Sequence, residues 1–210
     1  MTRVLTAGVL VAIPCASSIA LEEQPLYTIP VEPAPPPEAW HDFCRRNSHE
    51  CEPGESTRRN VILTPETWDE LGSINRRANA SIKPKTDEDH WRQSDKWDYP
   101  DDGFGDCEDY TLLKRRLLIE AGWPRAALLI TVVWTPQNQG HAVLLVRTDQ
   151  GEFVLDSENP NILHWTKTPY RYVKRQRATH PNEWVYIDGD SPPAEQIPSM
   201  PIPSTLPSAS

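Results

Sequence analysis

The sequence lacks several features that would place it at once in a common class of protein. Its 210 residues carry 21 Lys and Arg against 30 Asp and Glu, a net charge of −9. It therefore has no basic surplus of the kind that nucleic-acid-binding proteins use to hold phosphates. No internal repeat is visible, and the apolar run at residues 4–13 is too short to span a membrane as a helix. These absences favour one ordinary globular domain with no membrane span.

The N-terminus has the layout of a secretory signal peptide. One positive charge, Arg3, precedes the apolar run 4–13, and a stretch of small residues then ends at Ala20. This order is typical of a signal peptide that is removed after export. We predict a signal peptide over residues 1–20 and a periplasmic mature protein. Cys15 raises the alternative of a lipoprotein, but the proline before it is a poor context for lipidation.

Cysteine is scarce, with four residues in all. Cys44 and Cys51 lie close together in the sequence and fit a local disulfide in an oxidising compartment. The alternative is a metal site that includes His41 or His49, but no second pair of closely spaced cysteines supports zinc. Cys107 is left without a partner. An odd cysteine in a secreted protein is either reactive or buried, and both interpretations remain open from spacing alone.

The 22 prolines cluster at the two ends of the chain. Residues 21–37 are predicted to form a proline-rich extended linker, and residues 190–210 a disordered proline-rich tail. The folded domain is therefore expected to cover residues 38–189, a length that suits a single core.

Patterns inside this domain predict an α+β fold. Thr64 followed by Pro65 marks the start of a helix over 65–80. A second helix is expected to begin at Asp106 or Cys107 and to end near Gly122. The apolar run 127–135 predicts a buried strand, the segments 140–148 and 152–158 a β-hairpin, and the segments YRYVKRQ and EWVYID one further strand each. Helices first and an antiparallel sheet afterwards indicate an α+β domain.

Three side chains in this order suit nucleophilic catalysis. Cys107 lies at a helix N-terminus, His141 at the start of a strand, and Asp156 near the end of the next strand. A cysteine nucleophile needs an imidazole base and a group that orients the imidazole. With a two-residue hairpin loop at Asp149 and Gln150, His141 and Asp156 share one face as diagonal neighbours, and with a four-residue loop they face each other directly. A bulge at Gly151 would change this arrangement. The competing interpretation is an inert buried cysteine beside a hairpin with polar strand ends.

Acidic residues surround Cys107 in the segment GDCEDY. Asp106, Glu108 and Asp109 disfavour a thiolate unless a positive charge joins the group. The polar segment 81–104 just before them is long for a loop without structure, and we expect it to have a functional or binding role.

The chain resembles a known family, the bacterial transglutaminase-like cysteine peptidases, including the LapG-type periplasmic proteases. The resemblance runs from about Phe43 to Trp184. It is carried by the two cysteines of FC…EC, the segment INRRANASI, the block DKWDYPDDGFGDCEDYTLLKRRLLIEAG, and GHAVLLVRTDQGEFVLDSENPNILHW. The segment LDSENPN departs from the many members that have Asn directly after the Asp.

This resemblance implies a papain-like, transglutaminase-like fold with Cys107, His141 and Asp156 as the catalytic triad. It also implies a Ca²⁺ cofactor held by Asp106, Glu108 and Asp109, with further ligands expected from Asp101 and Asp102. Hard carboxylate oxygens suit that ion. The alternative is that the acids only stabilise the helix N-terminus.

The family resemblance further implies a protein substrate, a large surface adhesin whose cleavage controls biofilm attachment. It implies a second partner, an inner-membrane receptor that senses cyclic-di-GMP. A transglutaminase-type acyl transferase would use the same three catalytic groups, so the sequence leaves hydrolysis and transamidation both open. A non-catalytic module that binds calcium or a partner is the third hypothesis.

Overall fold

The computed structural model describes residues 25–53 and 59–187. Its helices are α1 (Glu38–Arg46), α2 (Pro65–Ser81), α3 (Asp87–Trp91) and α4 (Cys107–Glu120), and short 3₁₀ turns cover Ser48–Cys51, Arg125–Ala127 and Trp165–Lys167. Its strands are β1 (Pro30–Ala34), β2 (Lys83–Pro84), β3 (Phe104–Gly105), β4 (Leu128–Trp134), β5 (Gly140–Thr148), β6 (Gly151–Leu155), β7 (Leu163–His164), β8 (Arg171–Gln176) and β9 (Trp184–Ile187).

Seven strands form one antiparallel sheet in the order β1-β9-β8-β4-β5-β6-β7. The hairpin of β5 and β6 pairs Thr148 with Gly151, so its loop has two residues, the shorter of the two lengths considered from the sequence. Strand β6 ends at Leu155, three residues before the predicted end. The α+β prediction is confirmed.

Apolar side chains are buried on both faces of this sheet. Alternate residues of β4 point to opposite sides, because successive side chains of a strand do so. Ile130 joins the larger core with Trp40, Leu71 and Leu112 from the helices, whereas Val133 lies in a second cluster on the other face. The helices are therefore held on one face of the sheet.

Helix α2 begins where the sequence predicts. The Thr64 side chain accepts a hydrogen bond from the Thr67 N–H, the Thr67 hydroxyl bonds back to the Thr64 backbone, and Pro65 occupies the first helical position. This reciprocal cap satisfies N–H groups that the helix itself cannot pair. Capping fixes the start of α2, the helix that packs beside α4.

The segment predicted as a long loop, residues 81–104, contains regular structure. Strands β2 and β3 pair in parallel, Lys83 with Phe104 and Pro84 with Gly105. This pairing closes the base of the segment, and α3 lies within it. The segment is therefore tied back against the start of α4 and does not extend away from the domain.

The described part of the predicted linker, residues 25–37, is instead part of the domain. Strand β1 pairs with β9, and the buried Thr28 donates its N–H and hydroxyl to the Glu152 carboxylate. Edge strands tolerate proline because one row of their N–H groups needs no partner, which explains how a proline-rich segment joins the sheet. The predicted signal peptide, 1–20, and the predicted tail, 190–210, lie outside the described residues.

A disulfide joins Cys44 to Cys51 across the end of α1, as predicted. Within residues 25–53 and 59–187, no helix has both the length and the apolar character that crossing a membrane requires.

Candidate active site and metal-binding group

Cys107 is the first residue of α4, and its backbone is fixed to the sheet. The Thr111 hydroxyl, one helical turn later, lies 2.9 Å from the carbonyl oxygen of Cys107 and 3.2 Å from that of Ala142 in β5. Burial raises the pKa of the Cys107 thiol, and the Ala142 backbone works in the opposite direction. The thiol is therefore held next to the strand that carries His141.

His141 and Asp156 form a buried hydrogen-bonded pair. The His141 Nε2 and Asp156 Oδ1 atoms are 2.8 Å apart, and both side chains are about 3% exposed. With Nε2 engaged by the carboxylate, Nδ1 is the ring nitrogen left for a proton exchange in the cleft. The structure thus brings together the two side chains that the hairpin register predicted to meet, on the strand beside Cys107.

Asp156 is held from several sides. Its carboxylate also accepts hydrogen bonds from the Tyr170 hydroxyl and, at 3.0 Å, from the Glu158 N–H. Burial opposes the charged form, but the bonds from His141 and Tyr170 outweigh it and lower the pKa of Asp156. Asp156 is therefore an anion at neutral pH, as a group that orients an imidazole must be.

Lysine 114 lies further along the same face of α4 as Cys107 and Thr111. Its side chain is buried, and burial lowers its pKa to about 7, although the Asp156 charge works in the opposite direction. Lys114 was not among the predicted site residues, because its position on the helix alone does not reveal that its side chain is buried.

Two asparagines of α2 hold the segment around Asp156. The Asn79 Nδ2 donates to the carbonyl oxygen of Asp156 at 3.0 Å, and the Asn75 Nδ2 donates to that of Pro160 at 3.2 Å. They belong to the segment INRRANASI. They fix the backbone where β6 ends and so determine where the Asp156 carboxylate is presented.

Replacing Asn79 with alanine is expected to lower both stability and activity. The buried carbonyl of Asp156 would lose its donor, which costs about 1–3 kcal/mol, and the better helix propensity of alanine offsets at most about 0.7 kcal/mol. Urea unfolding and kcat/KM measure the two effects. Asn161→Ala removes an exposed amide from the neighbouring segment and serves as the matched control. Equal behaviour of the two variants would show that Asn79 does not position Asp156.

Cys107 and His141 open into one cleft of about 150 Å³. Its rim comes from three connections that are far apart in the sequence: Lys85 and Thr86 after β2, Thr135 and Gln139 before β5, and Ser157 and Glu158 after β6. A peptide chain that enters this cleft would therefore meet both the thiol and the imidazole.

A group of three buried carboxylates lies next to Cys107. Asp87, Asp106 and Glu108 each offer one oxygen, and these oxygens lie within 4.8 Å of one another. We call these three residues the acidic group. Asp106 is the residue before α4, and its Oδ2 accepts a hydrogen bond from the Asp87 N–H at 3.1 Å. The group therefore joins the start of α3 to the start of α4.

The acidic group fits a calcium ion. Burial, followed by the charge of Asp106, raises the pKa of Glu108 well above its usual range and that of Asp87 to about 7. No donor among the described residues reaches Asp106 Oδ1 or Glu108 Oε1, although both atoms are buried. Clustered carboxylate oxygens that repel one another, two of them without a donor among the described residues, are a ligand set that suits Ca²⁺.

Asp109, the third ligand predicted from the sequence, lies beside the acidic group, and burial followed by the charge of Asp106 raises its pKa to about 9. Its Oδ1 accepts the Asp98 N–H at 2.9 Å, and its role as a ligand stays a prediction. Asp101 and Asp102 pair with Arg116 and His90. Asp87 was not among the predicted ligands. Asp87 lies 19 residues before Asp106, and only the pairing of β2 with β3 reveals their proximity.

The acids next to the thiol also affect the nucleophile. The Cys107 Sγ lies 3.0 Å from Glu108 Oε2, and burial together with the Glu108 and Asp106 charges raises the pKa of Cys107 well above its usual value. Without a compensating positive charge the site favours the thiol, as the sequence suggested.

A helix N-terminus that presents a cysteine to a histidine on an antiparallel sheet defines a papain-like class of cysteine hydrolase. The sequence profile of the bacterial transglutaminase-like cysteine proteinases, BTLCP, matches residues 31–192. The chain belongs to this family and is a cysteine peptidase, so the resemblance seen in the sequence is confirmed.

Solved structures of similar fold support this assignment. Calcium-bound LapG from Legionella pneumophila is 27% identical, with a TM-score of 0.51 over 62% of this chain and 75% of that one. EGTA-treated LapG from the same organism is 25% identical, with a TM-score of 0.50 over 66% and 77%. The search among curated proteins gave no match.

Proposed function

We propose that the protein is a calcium-dependent periplasmic endopeptidase with Cys107, His141 and Asp156 as its catalytic triad. The observation that carries this proposal is the 2.8 Å bond between His141 and Asp156, with His141 lining the same cleft as Cys107. Family membership supports the peptidase chemistry.

The three side chains suit acyl transfer through a thioester. His141 Nδ1 accepts the thiol proton as Cys107 Sγ attacks the carbonyl carbon of the substrate. His141 then gives this proton to the leaving amine, and the C–N bond breaks to leave a thioester. A water molecule, deprotonated by His141, next attacks the thioester and releases the acid product and the free thiol. Asp156 keeps the imidazole oriented and stabilises its charged form.

The helix start contributes to the same reaction. The first N–H groups of α4 have no carbonyl partner within the helix, and the positive end of the helix dipole lies there. We assign the Cys107 N–H to the developing oxyanion of the tetrahedral intermediate, since such donors are most effective where charge forms.

We assign the calcium ion to the carboxylates of Asp87, Asp106 and Glu108. Calcium-bound LapG among the similar structures, and the fit of the acidic group, support this assignment. When bound, the ion supplies positive charge that opposes the effect of these acids on the Cys107 pKa. Asp106 and Glu108 flank Cys107, so the same ligands fix the backbone that presents the thiol.

The biological setting follows from the family. The substrate that we propose is a large surface adhesin, cleaved to control biofilm attachment, and the regulator is an inner-membrane receptor of cyclic-di-GMP. The Cys44–Cys51 disulfide supports an oxidising compartment such as the periplasm.

The Tyr170 hydroxyl should matter for catalysis. Tyr170→Phe removes its bond to the ionised Asp156, and a bond to a charged group contributes about 1.5–3 kcal/mol, so we expect kcat/KM to fall roughly tenfold. Tyr172→Phe is the matched control, because it removes a hydroxyl that bonds to Thr168 and Trp165. If Tyr172→Phe loses as much activity as Tyr170→Phe, the hydroxyl has no special role at Asp156.

Sequencing of new N-termini tests the proposed function. The purified protein is incubated with surface proteins, with and without calcium, and the products are analysed for new N-termini and for isopeptide bonds. We expect new N-termini only with calcium. Isopeptide cross-links without new N-termini would instead identify an acyl transferase.

A further inference from the structure

A second cavity lies away from the catalytic cleft. Its volume is about 210 Å³, and none of its lining residues lines the cleft. It lies between the start of β4 and the segment after β8. Four arginines line it, which we call the arginine pocket: Arg59, Arg115, Arg125 and Arg177.

The arginine pocket has a surplus of positive charge in a protein whose net charge is −9. Glu50 accepts hydrogen bonds from Arg115 at 3.0 Å and from Arg125 at 2.7 Å. Arg177 has one distant partner, Glu183, at 3.8 Å. Within residues 25–53 and 59–187, the four arginines have these two carboxylates as their acidic partners, so two more positive than negative charges lie there.

Arg115 is the arginine of this pocket whose positive charge is least compensated by its surroundings. Its side chain is 2% exposed, and its Nε has no hydrogen-bond partner among the described residues. Burial, followed by the charge of Arg125, lowers the pKa of Arg115 to about 10. A buried guanidinium that stays charged needs anions and acceptors around it, and Glu50 alone supplies one carboxylate for two arginines.

We propose that the arginine pocket binds the phosphate group of a small phosphomonoester. A phosphate ester carries about two negative charges at neutral pH, which matches the positive surplus, whereas a carboxylate carries one. Arginine pairs with phosphate oxygens through two parallel bonds. The cavity is smaller than the roughly 300–1,000 Å³ of most small-molecule sites, so the ester group must be compact. Ala126 and Leu129 in the wall accommodate its carbon atoms.

Calorimetric titration with glycerol 2-phosphate tests this site. The full-length protein is titrated at constant ionic strength set by chloride, with glycerol and acetate as the neutral and singly charged comparisons. The test variant is Arg59→Gln combined with Arg177→Gln, since both side chains are exposed and neither holds Glu50. The matched control is Arg76→Gln combined with Arg77→Gln, which removes the same charge from the exposed face of α2.

We expect one molecule of glycerol 2-phosphate to bind, with affinity about tenfold lower in the Arg59/Arg177 variant and unchanged in the Arg76/Arg77 variant. Arg177→Gln alone should give an intermediate value, and thermal melting checks that each variant is folded. The proposal is wrong if glycerol 2-phosphate gives no saturable heat. Equal weakening in both double variants, or equal binding of acetate, would also overturn it.

Discussion

Replacing Cys107 with alanine is expected to abolish peptide-bond cleavage while the fold is retained. Removal of a nucleophile from a triad typically reduces kcat by roughly 10⁴-fold or more, because the remaining groups act as a unit with it. Cys107 is half-buried at the first position of α4, where alanine is well tolerated. Cleavage of the substrate, followed by gel electrophoresis and sequencing of new N-termini, measures the loss.

Two controls test whether the loss of cleavage is due to the Cys107 thiol and not to a general change in the cleft. Ser157→Ala removes a hydroxyl from the rim of the same cleft and should leave cleavage intact. Iodoacetamide at near-neutral pH should label the calcium-loaded wild-type protein faster than a simple thiol, and Cys107→Ala should not react. Full cleavage by Cys107→Ala would exclude Cys107 as the nucleophile. No cleavage by the wild-type protein, together with a Cys107 no more reactive than a free thiol, would favour a non-catalytic binding module.

Removing calcium is expected to abolish cleavage and to destabilise the protein. Saturating calcium at 100 to 1,000 times its dissociation constant stabilises a folded protein by about 2.7–4.1 kcal/mol, so EGTA should lower Tm by roughly 5–15 °C for a chain of this size. The physical reason for this loss of stability is that removing the ion leaves the buried oxygens of Asp106 and Glu108, which have no donor among the described residues, to repel each other. Calorimetric melting with EGTA, then with restored calcium or with magnesium, measures the effect.

A comparison of two aspartate variants on α3 tests where the calcium ion binds. Asp87→Asn keeps the shape of the side chain but removes one charge from the acidic group, and we expect at least about tenfold weaker calcium binding. Asp89→Asn removes the same charge two residues later from an exposed position and should bind calcium normally. Unchanged melting and activity in EGTA would show that the protein does not depend on calcium. Equal calcium affinities of Asp87→Asn and Asp89→Asn would exclude Asp87 as a ligand.

The contact between His141 and Asp156 was predictable from the sequence because it depends on the short-range register of one hairpin, and the structure has a register that brings them together. The residues that hold Asp156 were not predictable in the same way. Tyr170 and Asn79 reach Asp156 from β8 and α2, and no periodic pattern in those segments marks which side chain points at the site.

The acidic group shows what neighbouring positions in the sequence do not reveal. Successive helical residues point in directions about 100° apart, so Glu108 contributes to the acidic group while the Asp109 Oδ1 accepts the Asp98 N–H beside it. Asp87 enters the group through a parallel pairing of two-residue strands, which is too short to leave a signal in the sequence. Strand β1 was likewise not predicted, because its proline content suggested a linker.

The cleft combines side chains from helices and strands with a rim built from connections, and this arrangement has an evolutionary consequence. Cys107 and His141 belong to α4 and β5, and Asp156 directly follows β6, whereas the rim of the cleft is built from three connections between elements. Connections tolerate replacement and insertion far better than the elements they join. Paralogues can therefore diverge in the peptide sequences they accept by exchanging residues 135–139 or 157–162, while the reactive centre is inherited unchanged.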